Sequence, residues 1–166
     1  ERVLGYLKGD VTETATAARL YSYSDKVNKT AEGASMPYFS LIDKDGETIT
    51  SRQFSGKHLL LSFISTSGID SRETTELLKN EYAKLNSDSV DFVTIYIDSE
   101  LYPIDYIEND SIPWIVVPEK RGWGADIVDI FNVQYIPYNI LISPEGTIEV
   151  RNIPVQGITE IITKIS

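Results

Sequence analysis

The sequence predicts an α/β domain in which helices flank a central mixed β-sheet of about five strands. Three observations support this fold class. His58–Ile64 is an apolar run of strand length, too short to span a membrane, and is expected to be buried on both faces. An amphipathic pattern at helical spacing follows within residues 70–85. Val90–Ile97 is the next strand-like run, so the order is that of a parallel βαβ unit.

The segment after the first of these strands carries the signals of a helix start. Asp70 is suited to cap the helix, and Glu73 three residues later completes a capping box. The apolar stripe of the helix consists of Leu77, Leu78, Tyr82 and Leu85. In such a unit the N–H groups of the helix N-terminus point into the loop after the strand, where open α/β sheets usually house their chemistry. The sequence therefore directs attention to residues 65–71.

Length and charge limit the possible partners. A chain of 166 residues with 42% hydrophobic residues suits one globular domain with a short appendage. Its 25 acidic residues exceed its 15 basic residues and give a net charge of −10, which argues against binding to nucleic acid or to an anionic membrane. No apolar run reaches the length of a membrane span. Because the chain begins at Glu1 rather than at a methionine, we expect it to be trimmed, which leaves an exported origin open.

The remaining elements follow in order along the chain. We predict a helix within Thr12–Lys29, in a helical lead or linker at residues 1–32 that either packs on the domain or docks a partner. Residues 33–166 form the main domain. Its further predicted elements are a hairpin of Tyr38–Ile42 and Glu47–Thr50 around a turn at 44–46, a short strand or buried corner at Trp114–Val117, a helix at Asp126–Phe131, strands at Tyr138–Ser143 and Thr147–Asn152, and a helix at Ile158–Ile165.

The sequence does not favour a metal or hydrolase site. Residues 43–47 resemble the start of a calcium loop, but the later ligands at the required spacing do not follow, so we interpret them as a turn. His58 is the one histidine, and it begins its strand at the end opposite the serines of the loop. We expect it on the surface, where it serves neither as a general base nor, in a chain without cysteine, as part of a zinc site. We expect no metal and no cofactor.

The same segments resemble the thioredoxin-like fold, and specifically the TlpA/ResA and AhpC/TSA group of extracytoplasmic thiol–disulfide oxidoreductases. The first match is Gly56-Lys57-x-Leu59-Leu60-Leu61-x-Phe63-x-Ser65-Thr66-Ser67 with the helix after it. Four further matches follow along the chain in the same order as in the sequences of the group. They are Gly33-x-x-x-Pro37-x-Phe39-x-Leu41-x-Asp43-x-x-Gly46, the strand Val90–Asp98, Ile136-Pro137 before Tyr138–Ser143, and the turn Pro144-Glu145-Gly146. The resemblance covers residues 33–166 and implies a three-layer sandwich around the mixed sheet, with residues 1–32 as an N-terminal helical extension. It also implies a cis bond before Pro137, facing the redox motif.

The sequence departs from the group at the motif that carries its chemistry. The resemblance places the Cys-x-x-Cys motif on Gly68, Ile69, Asp70 and Ser71, and the chain contains no cysteine. A thiolate is the nucleophile of disulfide exchange, and neither glycine nor a serine hydroxyl replaces it. The peroxiredoxin version is also absent, because no cysteine follows Thr66. The resemblance thus implies a fold whose usual catalytic residues are missing.

Three functions remain open from the sequence. The first is a redox-inactive, TlpA-like module of a bacterial envelope, in a periplasmic or other extracytoplasmic location, that binds a protein or extended peptide. Its groove residues would be Ser67, Gly68, Ile136, Pro137 and Tyr138, with Trp123 either a second aromatic anchor or a core residue. The second is a thiol–disulfide oxidoreductase acting in redox homeostasis with a cysteine supplied in trans or by another domain. The third is a non-redox enzyme using Asp70, Ser67 or Ser71, which a buried carboxylate with a raised pKa would favour.

Overall fold

The computed structural model describes residues 30–66, 69–97 and 112–165. The helix predicted within Thr12–Lys29 lies outside these residues, as do Ser67 and Gly68 of the predicted groove. Among the described residues, no helix is both long enough and apolar enough to cross a membrane.

A five-stranded mixed sheet forms the centre of the domain, with strand order β5-β4-β3-β6-β7. Its neighbours β3–β4 and β4–β5 are parallel, whereas β3–β6 and β6–β7 are antiparallel. A separate hairpin, β1–β2, precedes it. In chain order the elements are β1 (Ser40–Ile42), β2 (Thr48–Thr50), β3 (His58–Ile64), α1 (Ile69–Lys84), β4 (Val90–Tyr96), β5 (Ile115–Pro118), α2 (Asp126–Ile130), β6 (Tyr138–Ile142), β7 (Ile148–Arg151) and α3 (Ile158–Ile165).

Helices cover both faces of this sheet, so the predicted α/β class with a central mixed sheet is confirmed. On one face, Leu78 of α1 and Ile158 and Ile162 of α3 pack with Leu60 of β3. On the other face, α2 and the β1–β2 hairpin pack against a larger cluster that includes Phe63 of β3. All seven residues of β3 are buried because helices cover both of its faces and strands flank both of its edges. This arrangement explains why the run is largely apolar in the sequence and does not alternate between apolar and polar residues.

Two predictions at the ends of β3 and α1 are wrong in detail. His58 was expected on the surface, but it is buried, with Nδ1 3.9 Å from Oε2 of Glu149. The reason is topological, since the first residue of a central strand is covered by the strands on either side. Asp70 was expected to cap α1, but the helix begins at Ile69. Asp70 therefore lies in the first turn, where a carboxylate still interacts favourably with the helix dipole.

The acidic segment between β1 and β2 is a turn, as predicted. Oδ1 of Asp43 accepts the backbone N–H groups of Asp45 at 2.9 Å and Glu47 at 2.8 Å. Gly46 follows with φ of +85°, a conformation that a residue with a Cβ rarely adopts. The Asp43 carboxylate is thus committed to backbone hydrogen bonds. Among residues 30–66, 69–97 and 112–165 no cluster of three or more potential metal-ligating side chains occurs.

Glu81 joins α1 to the start of α3. Its buried carboxylate accepts the backbone N–H of Thr159 at 3.0 Å and that of Gly157 at 3.4 Å, and the Thr159 hydroxyl also donates to it. Burial alone would raise the pKa of Glu81, but the hydrogen bonds from Thr159, Gly157 and Lys84 outweigh this effect and lower the pKa below its ordinary value. A side chain of one helix thereby caps the N-terminus of another.

We expect Glu81→Gln to reduce the free energy of unfolding by about 1–2 kcal/mol at neutral pH, because a neutral amide is a weaker acceptor for the four donors around it. The folded-state pKa is lowered, so the contribution of the carboxylate is fully present above the ordinary glutamate pKa of about 4.3 and is lost as the pH falls through the lower folded value. Urea denaturation should therefore show the difference at pH 7 and a smaller difference in acid. Glu160→Gln, at an exposed position of α3, is the control and should change little.

Candidate functional site

The pairing of β3 with β6 places the chain that leads toward residues 67–68 beside the chain that contains Ile136 and Pro137. Phe63 faces Tyr138 in the antiparallel register, so the chain leaving β3 passes beside the chain entering β6. Residues 65–66 and 136–137 are the continuations of these strands at the same end of the sheet. The carboxyl end of β4 lies there too, because the Ile97 N–H donates to the Ile64 carbonyl at 3.1 Å. This edge is the candidate site.

The segment that enters β6 presents an extended backbone at this edge. The Ile136–Pro137 peptide bond is cis. Pro137 is exposed, whereas Ile136 is half-buried and packs against the larger core cluster. Neither the N–H nor the carbonyl of Ile136 forms a hydrogen bond with another described residue. The segment therefore offers a backbone donor and acceptor beside a half-exposed apolar side chain.

Tyr138 lies beneath this surface rather than on it. Its side chain is 8% exposed, and its hydroxyl accepts a hydrogen bond from Nε of Arg151 at 3.1 Å. The ring of Tyr135 meets the ring of Tyr138 edge to face, with 5.2 Å between centroids, and Tyr135 is 51% exposed. Tyr138 therefore supports the site, and the aromatic surface available to a partner belongs to Tyr135.

The sequence analysis did not single out Tyr135, although a signal was present. Counting back from a buried Tyr138 with the two-residue period of a strand makes Pro137 and Tyr135 the outward residues. The observed exposure follows this alternation, since Tyr135 and Pro137 are exposed and Ile136 is half-buried.

Arg151 of β7 holds the underside of the site. One of its terminal nitrogens, Nη1, donates to the Thr30 carbonyl at 2.8 Å, and the other, Nη2, donates to the Phe131 carbonyl at 2.8 Å. The guanidinium carbon also lies 5.3 Å from the centroid of the Tyr138 ring, over its face. Through Arg151 of β7, Tyr138 is thereby linked to Thr30 and to Phe131.

Trp123 lies at the same end of the sheet, beyond β5. Gly122 has φ of +56°, and a Cβ on it would lie 2.6 Å from the carbonyl oxygen of Ile97. The turn at 122–124 therefore sits tightly against the end of β4, which only glycine allows. Trp123 itself is 53% exposed, so it is a surface side chain and not a core residue.

Three of the four positions of the expected redox motif, Ile69, Asp70 and Ser71, lie in the first turn of α1. Gly68 and Ser67 lie outside the described residues, and Ile69 begins the helix. Asp70 is exposed, and its carbonyl accepts a hydrogen bond from the Thr74 hydroxyl at 2.8 Å. A buried carboxylate would have favoured the hypothesis of a non-redox enzyme that uses Asp70. The side chain of Asp70 is exposed, so this support is missing.

Comparison with solved structures identifies the architecture. The chain superimposes on the C-terminal domain of a protein described as a thiol-disulfide oxidoreductase from Bacteroides thetaiotaomicron, with a TM-score of 0.72, 27% identity, and coverage of 82% of this chain and 97% of that chain. The fold is thioredoxin-like. A thiol-disulfide oxidoreductase from Bacteroides fragilis gives a TM-score of 0.66 at 26% identity over 80% of this chain and 99% of that chain. No protein-family model and no curated protein matches the sequence.

A further thioredoxin-like protein, from Bacteroides caccae, matches over 99% of this chain but only 61% of its own, with a TM-score of 0.75 and 20% identity. The structural neighbours are thus thioredoxin-like domains, among them thiol-disulfide oxidoreductases. The present domain has no cysteine. Its own side chains therefore cannot supply the thiolate on which disulfide exchange depends.

Proposed function

We propose that this thioredoxin-like domain is a redox-inactive binding module that holds an extended, largely uncharged polypeptide at the edge where residues 65–66, 69–71 and 135–138 lie. The observation that carries this proposal is the free backbone of Ile136, which lies between exposed Pro137 and the half-exposed ring of Tyr135. An extended ligand pairs with such a backbone in the same way that an added strand pairs with a sheet edge.

The chemistry of the edge supports an uncharged ligand. The described side chains on the β6 side are apolar or aromatic: Tyr135, Ile136 and Pro137. Aromatic rings that are exposed yet fixed by packing are common anchors in interfaces, and Tyr135 is fixed by its contact with Tyr138. The missing cysteines remove catalysis but leave this edge in place. We also propose an extracytoplasmic location, as the resemblance to the TlpA/ResA group implies.

A peptide library tests the proposal. Random peptides displayed on phage would be selected against the whole chain, and the tightest uncharged peptide would be titrated as a free peptide by calorimetry. We expect Ile136→Arg to weaken binding at least about thirtyfold, equivalent to about 2 kcal/mol, because it places a bulky charge against the bound backbone. Tyr135→Ala should have a similar effect. These positions are preferable to Tyr138, whose burial would confuse a binding effect with a folding effect.

The matched control is Ile42→Arg, the same substitution at an isoleucine that is 54% exposed on the β1–β2 hairpin. It should leave the affinity unchanged. Urea midpoints would verify that each variant is folded. If Ile136→Arg and Tyr135→Ala both fold and bind the peptide as the native chain does, the partner surface lies elsewhere and the proposal is wrong.

A further inference from the structure

A cavity lies at the end of the central sheet opposite the candidate site. It has a volume of about 360 Å³ and opens between residues 35–38 before β1, residues 51–55 after β2, the start of β3 and the end of β6. Leu59 near the start of β3 lines it, whereas the candidate peptide site lies beyond the end of the same strand. At about 3.3 Å per residue the two are separated by roughly 20 Å. The cavity is therefore independent of the proposed peptide site.

The inner wall of this cavity is apolar. Phe54, Leu59 and Ile142 contribute to it, and each of these side chains is almost completely buried in the core behind the wall. Tyr38 stands at the opening with 57% of its surface exposed. The cavity thus presents apolar side chains beside polar ones, a composition found in sites for small organic molecules.

Two buried hydroxyl groups add polar chemistry to this wall. Ser51 and Ser143 both line the cavity, and each is 5% exposed. Each Oγ accepts a backbone N–H, from Phe39 at 3.3 Å and from Thr147 at 3.0 Å respectively. Among the described residues neither hydroxyl proton has an acceptor, so both serines retain a donor for a ligand.

Arg52 supplies a charge at the same place. Arg52 is one of the residues that line the cavity, and its guanidinium stacks over Tyr38, with 5.4 Å from Cζ to the ring centroid. It forms no ion pair or side-chain hydrogen bond with any residue of the described part of the chain. Lys57, the other cation on the wall, is engaged with Asp91 at 3.6 Å and with the Ser87 carbonyl at 3.2 Å. The groups available to a ligand are therefore hydrogen-bond donors, namely the guanidinium of Arg52 and the hydroxyls of Ser51 and Ser143.

We propose that this cavity binds a monocarboxylate that carries an apolar or aromatic body. Arg52 receives the carboxylate through paired N–H donors, a geometry that a guanidinium provides and an ammonium does not. The body of the ligand lies against Phe54, Leu59 and Ile142. Glu145 is the acidic side chain on the wall, and it is exposed on the β6–β7 turn, where it disfavours a ligand with a second negative charge.

Phenylacetate and its uncharged analogue phenylacetamide test this proposal on the whole chain. Each would be titrated into ¹⁵N-labelled protein while backbone and arginine Nε–H resonances are followed. We expect saturable shifts with phenylacetate at Ser51, Arg52 and Ser143. Phenylacetamide should bind at least about tenfold more weakly, and Arg52→Gln should weaken phenylacetate at least about tenfold, because each removes the charge-assisted hydrogen bonds.

Arg121→Gln is the matched control, since Arg121 is also an exposed arginine but lies next to α2 near the other end of the sheet. It should leave phenylacetate affinity unchanged. Acetate, which lacks an apolar body, should bind more weakly than phenylacetate. The proposal is overturned by the absence of saturable shifts, by equal binding of acid and amide, or by an Arg52→Gln variant that binds phenylacetate like the native chain.

Discussion

Replacing Gly68 and Ser71 together by cysteine is expected to give the domain a dithiol–disulfide exchange activity that the native chain lacks. The two substitutions restore the spacing of the group's redox motif at the N-terminus of α1, which begins at Ile69. A thiol at a helix N-terminus has a lowered pKa, so the thiolate that attacks a disulfide is populated near neutral pH. Reduction of insulin by dithiothreitol, followed by turbidity, should be no faster than buffer with the native chain and clearly faster with the double variant.

The controls for this experiment distinguish the effect of placing cysteines at positions 68 and 71 from the effect of adding thiols anywhere on the domain. Glu73→Cys combined with Glu76→Cys places two cysteines at the same spacing on exposed positions further along α1. This pair lies beyond the first residues of the helix and should be much less active. Gly68→Cys alone lacks the second thiol that resolves a mixed disulfide. Acceleration by the native chain, or a double variant no better than the Glu73/Glu76 pair, would contradict the assignment of residues 68–71 to the redox positions.

Arg151→Met is expected to lower the free energy of unfolding by about 3 kcal/mol. The substitution keeps much of the apolar stem but removes the donors to the Tyr138 hydroxyl and to the carbonyls of Thr30 and Phe131. Acceptors that stay buried without a donor account for most of the loss. Arg151→Lys should recover only part of it, since one ammonium cannot reach three partners in the plane of a guanidinium.

Urea denaturation with an unchanged slope would measure this loss. Arg121→Met is the control, because Arg121 is exposed and a surface substitution of this kind changes stability by about 0.5 kcal/mol or less. A loss below about 1 kcal/mol for Arg151→Met would mean that the contacts of this arginine are weak in solution, and that Tyr138 is held by packing alone.

The fold was predictable because its strongest signals are local. The run from His58 to Ile64 is apolar at five of its seven positions, since β3 is covered on both faces and flanked on both edges. The C-terminal helix was predicted with the same limits that the structure gives, Ile158–Ile165. Trp114 satisfies both sequence interpretations, because it is buried, donates from Nε1 to the Thr94 hydroxyl at 2.8 Å, and immediately precedes β5.

The parts that sequence reasoning missed depend on contacts between distant residues. Arg151 bonds to Thr30, which is 121 residues away, and no local pattern distinguishes such an arginine from a surface one. His58 is polar, so its burial follows from the order of strands in the sheet and not from its residue type. The cavity that contains Arg52 is similarly assembled from segments far apart in the chain.

The most direct test of the polypeptide-binding edge is to map a bound peptide on the ¹⁵N-labelled chain. The tightest uncharged peptide from the library selection would be titrated while backbone amide resonances are followed. The largest shifts are predicted at Tyr135, Ile136 and Tyr138 and at residues 65–66, since these lie at the edge beside the free Ile136 backbone. Shifts confined to the β1–β2 hairpin or to the cavity around Arg52, with residues 135–138 unmoved, would contradict a binding groove at residues 65–66 and 135–138.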